Sequence, residues 1–148
     1  MPATQLLNFL KSGKEFHHNL AAYYTALGDC VRREEVKQIV EYMKRHEEYL
    51  EQCFELYELD APAALRQTWF RQVPNLDKVE QPDPKDLNTE MSVDEVLDMA
   101  LRYDAALIQV YREMASMATS DSAREILEHI VAMEEAEERR FAWDMQRR

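Results

Sequence analysis

Glycine is nearly absent from this chain: 148 residues contain two, Gly13 and Gly28. With Glu, Leu, Ala, Arg and Met abundant, that scarcity favours helices, and few runs favour strands. Cysteine is as rare. Cys30 and Cys53 form neither a CxxC nor a CxxxC pair, so they read as core thiols of a protein in a reducing compartment. No stretch reaches the roughly 18 apolar residues of a membrane span, and no N-terminal apolar run follows a basic region. The expectation is a cytoplasmic protein without a signal peptide. Positive charge is in deficit, 18 basic against 29 acidic residues for a net charge of −11. That argues against nucleic acid or an anionic membrane as a partner and describes a solvated acidic surface.

What is present is four long amphipathic periods. The chain reads as one domain over residues 1–148, long enough to bury a core without disulfides or metal. The first helix, expected over about 4–27 behind a Thr4 cap, carries Leu6, Leu10, Gly13, His17, Leu20, Tyr24 and Leu27 on one face and stops near Gly28-Asp29. The second, over about 33–59, carries Val36, Ile39, Val40, Met43, Leu50, Cys53, Phe54 and Tyr57, with Glu47 amid that apolar face. Four of the five prolines then fall between Asp60 and Met91. That segment reads as an irregular crossover running the length of the bundle. A short helix over Ala63–Gln72 would pin it through Trp69 and Phe70. Ser92 with Glu95 makes a capping box for the third helix, over about 92–118, and Ser122 with Glu125 a second one for the fourth, over about 122–145.

The two helix pairs align at one constant offset of 87 residues. Leu10 meets Leu97, His17 meets Asp104, Leu20 meets Leu107 and Tyr24 meets Tyr111. In the second members Ile39 meets Ile126, Glu47 meets Glu134, Leu50 meets Glu137 and Phe54 meets Phe141. A single offset without a gap predicts two copies of a helical hairpin, hence an all-α four-helix bundle with one long connection between helices two and three. The repeat also converges His17, Glu47, Asp104, Glu134 and Glu137 in one interior layer. Four carboxylates gathered there cannot all stay ionised unaided. Two divalent cations would offset their charge, His17 adding a neutral nitrogen ligand. Tyr24 and Tyr111, on the same faces, could donate hydrogen bonds to the ligating carboxylates.

These helices resemble the ferritin-like superfamily, most closely its rubrerythrin-type members. The likeness is carried by Ala21-Ala22-Tyr23-Tyr24 in helix one, Gln109-Val110-Tyr111 in helix three and Glu134-Glu135-Ala136-Glu137 in helix four. It implies an up-down-down-up bundle and a carboxylate-bridged pair of iron or manganese ions. In that family the ligands are a Glu from helices one and three and a Glu-x-x-His motif from helices two and four. Here His17 and Asp104 stand in the two Glu slots, Glu47 and Glu134 match, and Leu50 and Glu137 replace the histidines. The resemblance therefore implies a lopsided site, held harder by the second hairpin. A rubredoxin-like module with paired CxxC motifs is absent.

Two alternatives stand beside that site. The acids could pair with Arg45, Arg102, Arg139 or Lys14 while one shares a proton with His17, or helix two could rotate Glu47 outward and leave His46 or Leu50 facing the core. His18 and His129 read as surface or boundary residues. The functional expectation is a metalloprotein performing oxidase or peroxidase chemistry or handling iron, with a small oxidant or metal ions as ligands and a homodimer as its possible assembly. The alternative is a degenerate, metal-free bundle acting as a binding or oligomerisation module.

Overall fold

The computed structural model describes residues 3–60, 62–74, 76 and 79–147. Of the span assigned to the single domain and its crossover, Met1, Pro2, Ala61, Asn75, Asp77, Lys78 and Arg148 lie outside the described residues. The elements are β1 (Thr4–Gln5), α1 (Leu6–Cys30), α2 (Glu34–Asp60), α3 (Pro62–Gln67), β2 (Trp69–Phe70), α4 (Val93–Met117) and α5 (Asp121–Gln146). The long helices form an all-α bundle in which α1 packs chiefly on α2, α4 chiefly on α5, and α2 also on α4. Among the described residues no helix is long and apolar enough to cross a membrane.

Burial follows the apolar periods. Leu6, Leu10, Gly13, His17, Leu20, Tyr24 and Leu27 are all buried on α1, and their partners Ala100, Asp104, Leu107, Tyr111 and Met114 are buried on α4. Gly13 has a specific reason to lack a side chain, because a Cβ there would overlap the Tyr111 hydroxyl. Gly28, by contrast, does not end α1. No glycine has positive φ, so there is no left-handed cap, and the helix runs on to Cys30 until Val31 turns extended.

Local chemistry at the ends differs from the sequence expectation in three places. Thr4 does not cap α1; it pairs with Phe70 in the short β1–β2 ladder, and Gln5 precedes the helix without a side-chain cap. The crossover helix stops at Gln67, and Trp69-Phe70 are extended because their backbone pairs with the N-terminal segment, reinforced by Leu6 N–H donating to the Thr68 carbonyl at 2.8 Å. Phe70 is buried there while Trp69 stays 56% exposed, so Phe70 with Leu65 and Leu76 fastens the crossover. The Ser92–Glu95 capping box is formed, whereas α5 is capped by Ser120, which accepts from Ala123 N–H at 3.2 Å, placing Asp121 in the positive first turn. Of the two thiols expected in the core, Cys30 is exposed at the end of α1 and Cys53 is half-buried.

Candidate metal centre

Five polar or charged residues are buried among the described residues: His17, His46, Glu47, Asp104 and Glu134. They form one layer across the bundle. The sequence places four of them there and offers His46 only as a replacement for Glu47 should helix two turn that acid outward. Glu47, the acid that stood out on α2, is 0% exposed, so α2 has not rotated it toward solvent. The buried arc of α2 is wide enough for two adjacent residues because neighbours cover it on two sides. Glu47 faces His17 of α1, and His46 faces Asp104 of α4 and Glu137 of α5. A signal for His46 was available: it follows buried Ile39 by seven residues and buried Met43 by three, the spacing of one helix face.

Each imidazole is held between two carboxylates. Nδ1 of His17 lies 2.5 Å from Glu47 Oε2 and its Nε2 lies 2.5 Å from Glu134 Oε1. Nε2 of His46 lies 3.3 Å from Asp104 Oδ2, and its Nδ1 lies 3.4 Å from Glu137 Oε2. Glu137 is half-buried, with Arg140 3.4 Å from its other oxygen. The surface cations considered as partners go elsewhere: Arg45 pairs with Glu41, Arg102 with Glu80, Arg139 with Glu135 and Lys14 with Glu55 and Glu58. Exposed His18 pairs with Glu51, and His129 is exposed, so neither joins the layer.

Burial and mutual charge tune these groups strongly. Desolvation alone would lower the His17 pKa, but the charges and hydrogen bonds of Glu134 and Glu47 outweigh it and hold it well above 6.5. His46 follows the same logic, burial opposing and Asp104 prevailing, and is raised. Desolvation, with the Asp104 charge added, pushes the Glu47 carboxyl up to about 7 against the pull of His17. Burial likewise raises Glu134.

The donor atoms fit a divalent cation. His46, Glu47 and Asp104 each offer a ligand atom, and these atoms lie within 4.8 Å of one another. Glu47 Oε1 is buried without a partner, as are the hydroxyls of Tyr24 and Tyr111. Nitrogen and carboxylate oxygen together suit iron, manganese or zinc. Two of these three side chains come from α2. Leu50 is apolar core, 1% exposed, and the imidazole that α2 carries into the layer is His46, one turn earlier. A cleft of about 280 Å³ lined by Tyr42, Arg45, Tyr49 and Arg140 reaches His46 and Glu137 from the surface.

No family model matches the chain, and no curated protein matches it. Among solved structures it is similar to a Thermotoga maritima protein described as a candidate ferritin-like diiron-carboxylate protein. The likeness has a TM-score of 0.61 at 14% identity over 99% of this chain and 97% of that one. At that identity the likeness concerns the fold: the chain has the ferritin-like up-down-down-up bundle, two hairpins joined by a long crossover. With the buried His/Glu/Asp group, that fold supports a possible metal site.

Proposed function

We propose that this protein is a ferritin-like metalloprotein whose carboxylate-rich layer binds iron or manganese. The observation that carries the reading is the buried group of His46, Glu47 and Asp104, with ligand atoms within 4.8 Å of one another. Four carboxylates (Glu47, Asp104, Glu134, Glu137) and two imidazoles (His17, His46) make the same inventory as the di-metal carboxylate bundles, dealt differently among the helices. The structural neighbour is described as a candidate ferritin-like diiron-carboxylate protein, which is consistent with that inventory. Metal bound here would supply open coordination positions and a redox couple for oxidation by dioxygen or peroxide, or for handling iron. The chain's own residues hold the donors in place. Phe141 stacks beside the His46 ring at 6.1 Å, Glu137 sits on its Nδ1, and the α2–α5 cleft admits a small oxidant while the core excludes bulk water. We place the protein in the cytoplasm, with a second copy of the chain rather than nucleic acid or membrane as its partner.

A second reading, a metal-free bundle serving as a binding module, draws on the pairing of both His17 nitrogens at 2.5 Å, which satisfies part of the layer without any ion. Metal content separates the two. Chelator-stripped protein reloaded with iron(II) or manganese(II) and desalted should retain stoichiometric metal and melt higher than the stripped form. Retention below roughly a tenth of an equivalent, too little for a specific site, with unchanged melting sinks the metal reading.

A further inference from the structure

The six donors fall into two clusters of unequal character. His17 has both nitrogens 2.5 Å from carboxylate oxygens of different helices. A ligating imidazole points one lone pair at the ion and gives its other nitrogen to an outer partner; His17 has no nitrogen left for the ion. Its ring also sits inside a closed aromatic wall, 5.4 Å from Phe54 and 6.2 Å from Phe16, at 1% exposure. His46 differs on each count. Its Nε2 contact with Asp104, 3.3 Å, is at the long limit of a hydrogen bond, its Nδ1 has only an ion-pair contact with Glu137 at 3.4 Å, and it lines the surface cleft. With Nε2 on the side of Asp104 and Nδ1 against Glu137, it already has the arrangement of a ligand with an outer carboxylate.

We infer that the layer takes a single divalent transition-metal ion, at His46, Glu47 and Asp104, with the His17 ring occupying the place of a second ion between Glu47 and Glu134. The inference deepens the metal reading above and rests on it. Glu47 can serve both clusters because its Oε2 is spent on His17 while its buried Oε1 is free. Glu47 and Glu134 are already held by the His17 ring between them, and Glu137 by Arg140. A second divalent ion would have to displace that ring. Glu137 is then an outer partner that orients His46 and not a ligand, and the expected dinuclear site becomes mononuclear.

The test is stoichiometry. Full-length protein stripped of metal is loaded with manganese(II) and read by native mass spectrometry, equilibrium dialysis and electron paramagnetic resonance. Wild type should bind one ion with the spectrum of isolated manganese. His46→Gln should lose more affinity than the roughly 10–100-fold cost of removing an outer-shell partner, whereas His17→Gln should keep one ion. His17→Glu, with a carboxylate in place of the ring, should raise the count from one to two and give a spin-coupled spectrum; if it does not fold, the wild-type count and the Gln variants decide alone. Two ions in wild type, or loss of binding in His17→Gln with retention in His46→Gln, overturns the single-ion inference and leaves metal binding standing. No ion in wild type overturns both.

Discussion

The two hairpins share a scaffold and divide the chemistry. At the constant offset, Leu20 and Leu107, Tyr24 and Tyr111, and Phe54 and Phe141 are each buried to within about the same degree. The polar positions follow suit: His17 and Asp104, Glu47 and Glu134, are 5% exposed or less. Yet both imidazoles of the layer come from the first hairpin, and the second contributes carboxylates alone. A repeated backbone thus dictates which positions are interior, while the donor placed at each is free to change so long as the layer as a whole can be neutralised. The first hairpin brings nitrogen and proton-holding capacity, and the second brings negative charge. Each is electrostatically incomplete without the other, since an isolated buried charge costs several kcal/mol.

Removing His17 should have the largest effect. In metal-free protein, His17→Leu leaves Glu47 and Glu134 buried together without their shared partner, and should cost about 3–5 kcal/mol in chemical denaturation. Replacing all three, His17→Leu with Glu47→Leu and Glu134→Leu, removes the charges together and should be neutral or stabilising by about 1–4 kcal/mol. A triple variant as unstable as the single one would mean that the trio acts through shape, not charge.

Acidity probes the same cluster. His17 and Glu47 both hold protons more tightly in the folded chain than unfolded, Glu47 up to about 7, against unfolded values near ~6.5 and ~4.3. The folded state therefore binds more protons, so the stability these groups provide is complete below the unfolded values and is lost as pH rises through the folded ones. Metal-free protein kept in chelator should melt lower at about pH 8.5 than at about pH 6, and the triple leucine variant should lose most of that slope. A melting temperature that climbs with pH in wild type contradicts the assignment. The His46 cluster should respond more weakly. His46→Leu frees half-buried Glu137 to Arg140 and strands Asp104 alone, a cost of about 1–3 kcal/mol in the same denaturation assay. A loss equal to that of His17→Leu would erase the distinction between the clusters.

These two clusters also show what the sequence could carry. The apolar periods on α1 and α4 and the offset between hairpins made the bundle legible, because helix-face burial depends on spacing that any one chain displays. His17, Glu47, Asp104 and Glu134 were legible because each interrupts such a face. His46 was obscured by adjacency. It lies within the broad apolar arc of α2 but reads as an alternative to Glu47, and only the packing of α2 against neighbours on two sides brings both residues inside. Trp69-Phe70 was misjudged for a related reason, since its extended form is imposed by backbone pairing with Thr4-Gln5, a contact far away in sequence. The pairing of His17 with two carboxylates at once was beyond reach, since spacing gives a face and not a distance.

The smallest predicted effect bears on where the hairpins differ in packing alone. Gly13 on α1 corresponds to Ala100 on α4, both in the core. Alanine is worth about 1 kcal/mol over glycine in a helix interior, so propensity by itself makes Gly13→Ala stabilising. Packing opposes it: the new Cβ overlaps the Tyr111 hydroxyl and comes within 3.1 Å of the ring carbon that bears it. Tyr111 is 0% exposed and edge-packed on Phe9 at 5.8 Å, so the ring has little room to tilt. Overpacking of this kind costs about 1–3 kcal/mol, and the net result should be a loss of up to about 2 kcal/mol by thermal or chemical denaturation. Tyr111→Phe removes the hydroxyl, which has no partner in the core, and leaves only the ring carbon at 3.1 Å. Gly13→Ala introduced on that background should therefore cost less than in wild type. If it stays as destabilising as in wild type, Gly13 is kept for helix–helix approach and not to house the phenol.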